Sequence, residues 1–192
     1  MLLDRIYAIL RNNISEVVLI PSPTSEKQAY ARIWRMFDRV ACRYDLLNHL
    51  LSFWRDRAWR HALTSALSRA SDVRILDLAT GTGDVLLEMG HTGALRVGVD
   101  PSEGMLSRAQ VKCRRIEYSV SLLRSDATRL PFAEASFDAV SVAFGIRNMR
   151  DILEPLREAH RVLRVGGRLA VLEFSLPEAR WLRYAYMAYF RH

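Results

Sequence analysis

The stretch Arg74-Ile75-Leu76-Asp77-Leu78-Ala79-Thr80-Gly81-Thr82-Gly83-Asp84 decides the fold of this chain. Ile75, Leu76 and Leu78 make a short apolar run, the pattern of a strand buried on both faces of a parallel sheet. Gly81 and Gly83 let the backbone turn sharply and let a ligand approach closely. Asp84 is placed to cap a following helix that carries Val85, Leu86 and Met89. A strand, a glycine turn and a helix in this order receive a nucleotide-like ligand at the carboxyl end of the strand.

Three further signals narrow the ligand. A dinucleotide fingerprint needs Gly or Ala at position 86, where helix and strand pack under a pyrophosphate, and Leu86 stands there. Asp100 closes the run Leu95-Arg96-Val97-Gly98-Val99, about 20 residues past the turn, where an acid meets ribose hydroxyls. Ser125-Asp126-Ala127 follows a third strand and precedes Leu130-Pro131-Phe132. Two acidic strand ends without a third glycine favour an adenosine ligand that lacks a pyrophosphate, and S-adenosylmethionine fits.

Outward from this core, strands are expected at 73–79, 95–100, 118–123, 138–144 and 168–174, with spacings that suit right-handed crossovers. Ser102 caps a helix with Met105, Leu106 and Ala109, and Asp151 with Glu154 starts another that Gly166 and Gly167 end. Residues 28–70 read as a helical cap preceding the sheet, with Ile33, Phe37 and Val40 on one face. Residues 1–27 read as an appendage and linker, in which Leu2, Leu3, Ile6, Ile9 and Leu10 fall at helical spacing. Residues 71–192 then form the ligand-binding unit of a single domain.

The 192 residues suffice for one core, and half of them are hydrophobic. The net charge of +7 reads as a solvated basic surface or as attraction to an anionic membrane or nucleic acid. The absence of long basic runs favours the solvated surface. Cys42 and Cys113 show no metal-ligand spacing and suggest reduced thiols in a cytoplasmic setting, and no metal site is expected. No apolar run reaches the length of a membrane span, and no signal peptide is read at the N-terminus.

Met36-Phe37-Asp38, Arg43-Tyr44-Asp45-Leu46-Leu47-Asn48, the glycine turn, Gly98-Val99-Asp100-Pro101-Ser102-Glu103-Gly104-Met105-Leu106, Leu130-Pro131-Phe132, Phe144-Gly145-Ile146-Arg147-Asn148 and Gly166-Gly167-Arg168-Leu169 recur together here. In this combination the chain resembles the ubiquinone/menaquinone biosynthesis C-methyltransferases over about residues 34–180. The resemblance implies an α/β class I methyltransferase fold, a Rossmann-like parallel sheet under an N-terminal helical cap. It implies S-adenosyl-L-methionine as cofactor and ring-carbon methylation of a polyprenyl quinol. The family's cofactor contacts fall on Thr82, Asp100, Asp126 and Ala127. A serine that often adds a contact is Ala143 here, so that side-chain hydrogen bond is absent. Asp77, Gly81 and Gly83 complete the cofactor-binding set. His49 stands where the family usually has a basic residue. The family normally continues with a helix and two more strands, so a five-stranded sheet with an uncovered edge is expected. A fragment, a covering partner and a degraded relative all fit that pattern.

Carbon methylation needs an electron-rich ring in a dry site. Arg147, always charged, and Asn148 are expected to stabilise the phenolate, with Tyr44 or Asp45 completing a proton path. Ordinary loop and helix-cap roles compete for these residues. The aromatic tail Trp181–His192 suggests a closing helix or a peripheral membrane contact. A homodimer or a quinone-biosynthesis complex is a further expectation, and no nucleic-acid partner is expected because no base-binding tetrad appears. The competing readings are a non-catalytic cofactor-binding or assembly subunit, an NAD-dependent oxidoreductase, disfavoured by Leu86, and a nucleic-acid methyltransferase.

Overall fold

The computed structural model describes residues 8–9, 36–38, 41, 52, 54–67, 74–89, 95–114, 120–149 and 151–173. Five strands, β2 (Arg74–Leu78), β3 (Leu95–Asp100), β4 (Val120–Arg124), β5 (Phe137–Ala143) and β6 (Leu163–Leu172), form a parallel sheet. A two-residue strand, β1 (Ala8–Ile9), joins β6 antiparallel, giving the order β1-β6-β5-β2-β3-β4. The chain thus starts its parallel sheet in the middle with β2, runs outward through β3 and β4, and returns on the other side of β2 with β5. The turns after β2 and β5 diverge at the carboxyl edge, where open α/β sheets bind ligands.

Both faces are covered. Side chains alternate along a strand, so Ile75 faces one layer while Leu76 and Leu78 face the other. One layer gathers Leu63 and Leu67 of α1 (Arg55–Leu67) and Val85, Leu86 and Met89 around α2 (Asp84–Glu88) over Ile75, Ala139 and Leu172. The opposite layer gathers Ala159 and Val162 of α4 (Leu153–Val162) with Leu130 and Phe137 over Leu76, Leu78, Val99 and Val140. Burial on both sides is why Ile75, Leu76 and Leu78 of β2 are all apolar, with the buried Asp77 as the exception. Each fully buried Leu, Ile or Val contributes about 1.5–3 kcal/mol relative to exposure.

Leu86 explains its own exception. Its side chain is completely buried, and a Cβ placed on Gly98 would come within 2.7 Å of Leu86 Cδ1 and 2.9 Å of the Thr80 side chain. The close approach of helix to sheet is thus carried by a glycine in β3, leaving position 86 free to be large.

Four local expectations need correction. Ala8–Ile9 is a strand where spacing predicted a helix, and it covers the β6 edge at Ala170 and Val171 that was expected to lie bare. The cap of α2 is Gly83, at φ 84°, and Asp84 is the first helical residue. Asp151 accepts from the Leu153 amide at 2.8 Å, but the capping position itself is Ile152. Gly166 and Gly167 do not end a helix: α4 stops at Val162, and the pairing jumps from Phe137–Leu163 to Ala139–Arg168. That irregularity holds Gly166 at φ 79°, and a Cβ on Gly167 would lie 2.8 Å from the Arg164 carbonyl oxygen. Ser102 does cap α3 (Glu103–Cys113), accepting from the Met105 amide at 3.1 Å.

Candidate active site

Leu78 pairs with Val142, so β2 and β5 end at the same level and their turns leave side by side. Ala79 and Phe144 occupy the first positions of those turns with φ of 52° and 55°, a region that costs a non-glycine residue energy and gathers at functional sites. Gly145 makes the interlock feasible, because a Cβ there would sit 2.6 Å from the Ala79 Cβ. Between the two turns opens a cleft lined by Phe37, Ala79, Gly81, Asp100, Met105, Ala143, Phe144, Gly145 and Asn148. With its solvent-open mouth it encloses about 350 Å³. Trp59 of α1 packs against Phe144, their rings 6.3 Å apart.

Asp100 organises the cleft floor. One carboxylate oxygen accepts from the Gly81 amide at 2.9 Å and the other from the Ser102 amide at 2.8 Å. The acid therefore ties the glycine turn to the start of α3. The turn itself is closed by the Gly83 amide on the Thr80 carbonyl at 2.9 Å, with Gly81 at φ 56°. Burial pushes the Asp100 carboxyl up to about 6, against the pull of the two amides and with help from Asp38 nearby. Asp77, inside β2 and 1% exposed, is also pushed up to about 6 by burial, although the Ser141 hydroxyl donates to it at 2.6 Å. Asp77 lies beneath the floor and does not line the cleft.

Asp38 brings the N-terminal helical residues onto this frame. Its Oδ1 accepts from the Ser102 hydroxyl at 2.6 Å and from the Gly104 amide at 3.0 Å. The Ser102 hydroxyl leads in holding the Asp38 carboxyl below the usual carboxylate range. Gly104 permits the contact, since a Cβ on it would lie 3.0 Å from the Asp38 Cα. Phe37, one residue earlier, reaches the cleft as a wall.

The remaining candidates are distributed around this centre. Gly81, Asp100, Ala143 and Asn148 line the cleft. Thr82 is buried in the turn, and its hydroxyl accepts from Lys112 Nζ at 2.9 Å. The same ammonium lies 2.6 Å from Asp84, which also pairs with Arg60 at 3.3 Å. Gly83 packs on Ala109 of α3. Asp126 accepts from both the amide and the hydroxyl of Thr128 at 2.9 Å, so it shapes its own turn. The Ser125 amide donates to the Asp100 carbonyl at 3.3 Å, which sets Asp126 and the buried Ala127 beside the end of β3. Arg147 sits in a 3-10 turn, Ile146–Asn148, with its guanidinium paired to Glu173; it does not itself line the cleft, as its neighbour Asn148 does. Tyr44, Asp45 and His49 lie outside the described residues, as does the aromatic tail.

Several residues that build the cleft carried no binding role in the sequence reading. Asp38 and Phe144 stood inside quoted motifs without a function attached, and Phe37 and Met105 were read only as apolar positions on helices. Nothing in the sequence announces that Ala79 turns left-handed. No helix among the described residues is long and apolar enough to cross a membrane.

Known proteins match this arrangement at two levels. Among solved structures, the [4+2]-cyclase SpnF superposes with a TM-score of 0.67 at 26% identity, covering 83% of this chain and 64% of its own. A SAM-dependent methyltransferase from Thermotoga maritima gives 0.58 at 26% identity, covering 72% of this chain and 60% of that one. The first carries the name of a cyclase, so fold alone does not fix the reaction. Sequence relatives are more specific. The ubiquinone/menaquinone biosynthesis C-methyltransferase UbiE of Geotalea uraniireducens is 43% identical over 164 residues, 83% of this chain and 70% of the relative. The namesake from Syntrophotalea carbinolica is 48% identical over 159 residues, 82% and 67% respectively. The demethylmenaquinone methyltransferase of Thermus thermophilus is 45% identical over 158 residues, 81% and 72%. The chain thus spans about two thirds of the length of these relatives. Residues 24–192 match the profile of the ubiE/COQ5 methyltransferases, and the chain belongs to that family.

Proposed function

We propose that this protein is an S-adenosylmethionine-dependent methyltransferase that methylates a ring carbon of a polyprenyl quinol. The substrate is demethylmenaquinol, the equivalent ubiquinone precursor, or both. The observation that carries the reading is Asp100, a buried acid at the floor of an otherwise largely apolar cleft. Each of its oxygens accepts one backbone amide, and a carboxylate oxygen has a second lone pair with which to accept a ribose hydroxyl. Phe37, Met105 and Phe144 supply apolar and aromatic walls, which suit a planar base and a cationic sulfur. These residues fit S-adenosylmethionine, and Leu86 stands where a dinucleotide site needs a small residue under the pyrophosphate.

When bound, S-adenosylmethionine supplies an electrophilic methyl group on a sulfonium. This chain's residues do the rest. Gly81 and Asp100 hold the adenosine part, with Thr82, Gly83, Asp77, Asp126, Ala127 and Ala143 shaping the loops and floor around it. Asn148 presents its amide to the cleft, where it can donate to a substrate oxygen. Arg147, one residue away on the rim, stabilises the phenolate that makes the ring carbon nucleophilic. Tyr44 or Asp45 completes a path for the phenolic proton through water. Phe37, held in place beside Asp38, and Trp59 against Phe144 help to exclude bulk water from the cleft. The prenyl tail makes the membrane surface the place of work for an otherwise cytoplasmic body, as a homodimer or within a biosynthetic complex.

Two measurements on the same preparation test this. Calorimetric titration with S-adenosylmethionine reads the cofactor site, and transfer of labelled methyl to demethylmenaquinol or a demethylated benzoquinol reads the reaction. Binding with transfer to either ring is the expected result. Binding without transfer would leave a cofactor-binding subunit, and no binding would overturn the whole assignment.

A further inference from the structure

The carboxylate that holds Arg147 has no place in the motifs. Glu173 is the residue directly after β6, and it touches Arg147 twice. One oxygen pairs with the guanidinium, and the other lies 3.4 Å from the Arg147 amide, a long contact. The position of Glu173 is itself fixed, because the Phe144 amide donates to the Leu172 carbonyl at 2.7 Å. That bond binds the end of β6 to the turn after β5 immediately before Glu173. The Glu173 side chain is 20% exposed and that of Arg147 is 47% exposed, so the acid is the sheltered, fixed partner and the cation is the outer one. Asn148, on the same 3-10 turn, lines the cleft. The geometry points to Glu173 as the positioning residue of the catalytic turn. It grips the Arg147 side chain and backbone together, so that the turn presents Asn148 to the cleft and keeps the guanidinium at its rim.

The alternatives for this acid are weaker. It does not line the cleft, so it is not placed to receive a substrate proton itself. An exposed ion pair of this kind contributes little to global stability, so its consequence is local order. This inference rests on the methyltransferase reading for its kinetic consequence, but its structural consequence does not.

The first arm therefore needs no activity. Hydrogen exchange on Glu173→Ala should show faster exchange at residues 146–149, with protection of β2, β3 and β5 unchanged. Unchanged exchange in that turn overturns the proposal whatever the reaction is. The second arm is kinetic. Glu173→Ala should lower kcat about 10- to 100-fold, less than loss of a transition-state group itself, with cofactor affinity unaltered. Glu173→Gln should recover part of the loss, because its amide oxygen still accepts from the Arg147 amide. In an Arg147→Ala background, Glu173→Ala should cost much less than it does alone, since coupled residues are not additive. Additive losses, or a parallel fall in cofactor affinity, would overturn the positioning role. If the wild-type chain binds cofactor but transfers no methyl group to any quinol, the functional reading fails and the exchange arm still decides on Glu173.

Discussion

At the scale of single residues, the site turns on three side chains whose charge states differ in purpose. Asp100 is tied by two backbone amides and still offers lone pairs to a diol. Asp100→Ala should weaken S-adenosylmethionine binding by about 1.5–3 kcal/mol, the range for hydrogen bonds to a charged group; equal affinities by calorimetry would remove it from the site. Asp77 serves the fold at a cost. Its carboxyl titrates at about 6 in the folded chain and at 3.8 by its ordinary value, so the native state binds the proton more tightly than the unfolded chain. Stability from this group is therefore full below about pH 4 and is lost as pH rises to about 6. Asp77→Asn keeps an acceptor for Ser141 without the charge, so it should raise the melting temperature above pH 6 and bring little gain near pH 4. A uniform gain or loss across pH 4–8 would show that the buried charge is not the cause. Arg147 is the electrostatic group of the proposed reaction. Arg147→Ala should lower single-turnover methyl transfer about 100- to 1,000-fold with cofactor affinity intact, and Arg147→Lys should recover only part. A parallel loss of cofactor affinity would make Arg147 structural.

Among the elements, the decisive contact is α2 lying on β3 through Leu86 and Gly98. A methyl group on Gly98 meets Leu86 and Thr80 below 3.0 Å, and the neighbours are a fully buried side chain and the glycine turn itself. Gly98→Ala should destabilise by about 1–3 kcal/mol, as overpacked cores do, and should weaken cofactor binding by displacing the turn. The double variant Gly98→Ala with Leu86→Ala should bind cofactor better than Gly98→Ala alone, because space returns on the helix side. Chemical unfolding and calorimetry on the three variants check this, and a double variant no better than the single one would place the strain elsewhere. The same contact shows what the sequence made legible. β2, β3 and β5 could be read because burial on both faces leaves short, mostly apolar segments bounded by turn residues, and the glycine turn because its conformation demands glycine at φ 56° and 84°. Leu86 served to mark the helix and to exclude a dinucleotide; its partner Gly98 lies 12 residues on, and no local pattern links them. The start of β6 was misread because Gly166-Gly167 signals a helix stop as readily as an irregular strand. Asp100 and Asn148 were legible as site residues from strand ends and motif. Ala79 was not, because the room beside its left-handed turn is left by Gly145, distant in sequence, and nothing in its own chemistry signals that conformation.

On the scale of the whole molecule, the sheet has two edges, and β1 changes the account of one of them. β6 carries Leu169, Ala170, Val171 and Leu172, an apolar strand of the kind that recruits other chains when its backbone is bare. Ala8 and Ile9 pair antiparallel with Val171 and Ala170, so two residues from far upstream cover the segment next to Glu173 and the turn that carries Arg147. Antiparallel addition to a parallel sheet is a familiar way to finish an edge, and so short a strand blocks further pairing without adding much stability. The strand lies on the far side of β6 from the cleft, which opens at the ends of β5 and β2. Its loss should therefore separate association from ligand binding. Ile9→Pro removes a backbone donor and disfavours ladder pairing. The variant should self-associate at concentrations where the parent chain remains dispersed, while binding S-adenosylmethionine with the parent's affinity. Ile9→Val, which keeps a β-branched residue in the strand, should behave as the parent. Light scattering and calorimetry on the three proteins separate the outcomes. If Ile9→Pro stays as dispersed as the parent, β1 is not what protects this edge. If it loses cofactor affinity as well, the β6 edge is coupled to the cleft through Leu172, Glu173 and the turn they hold.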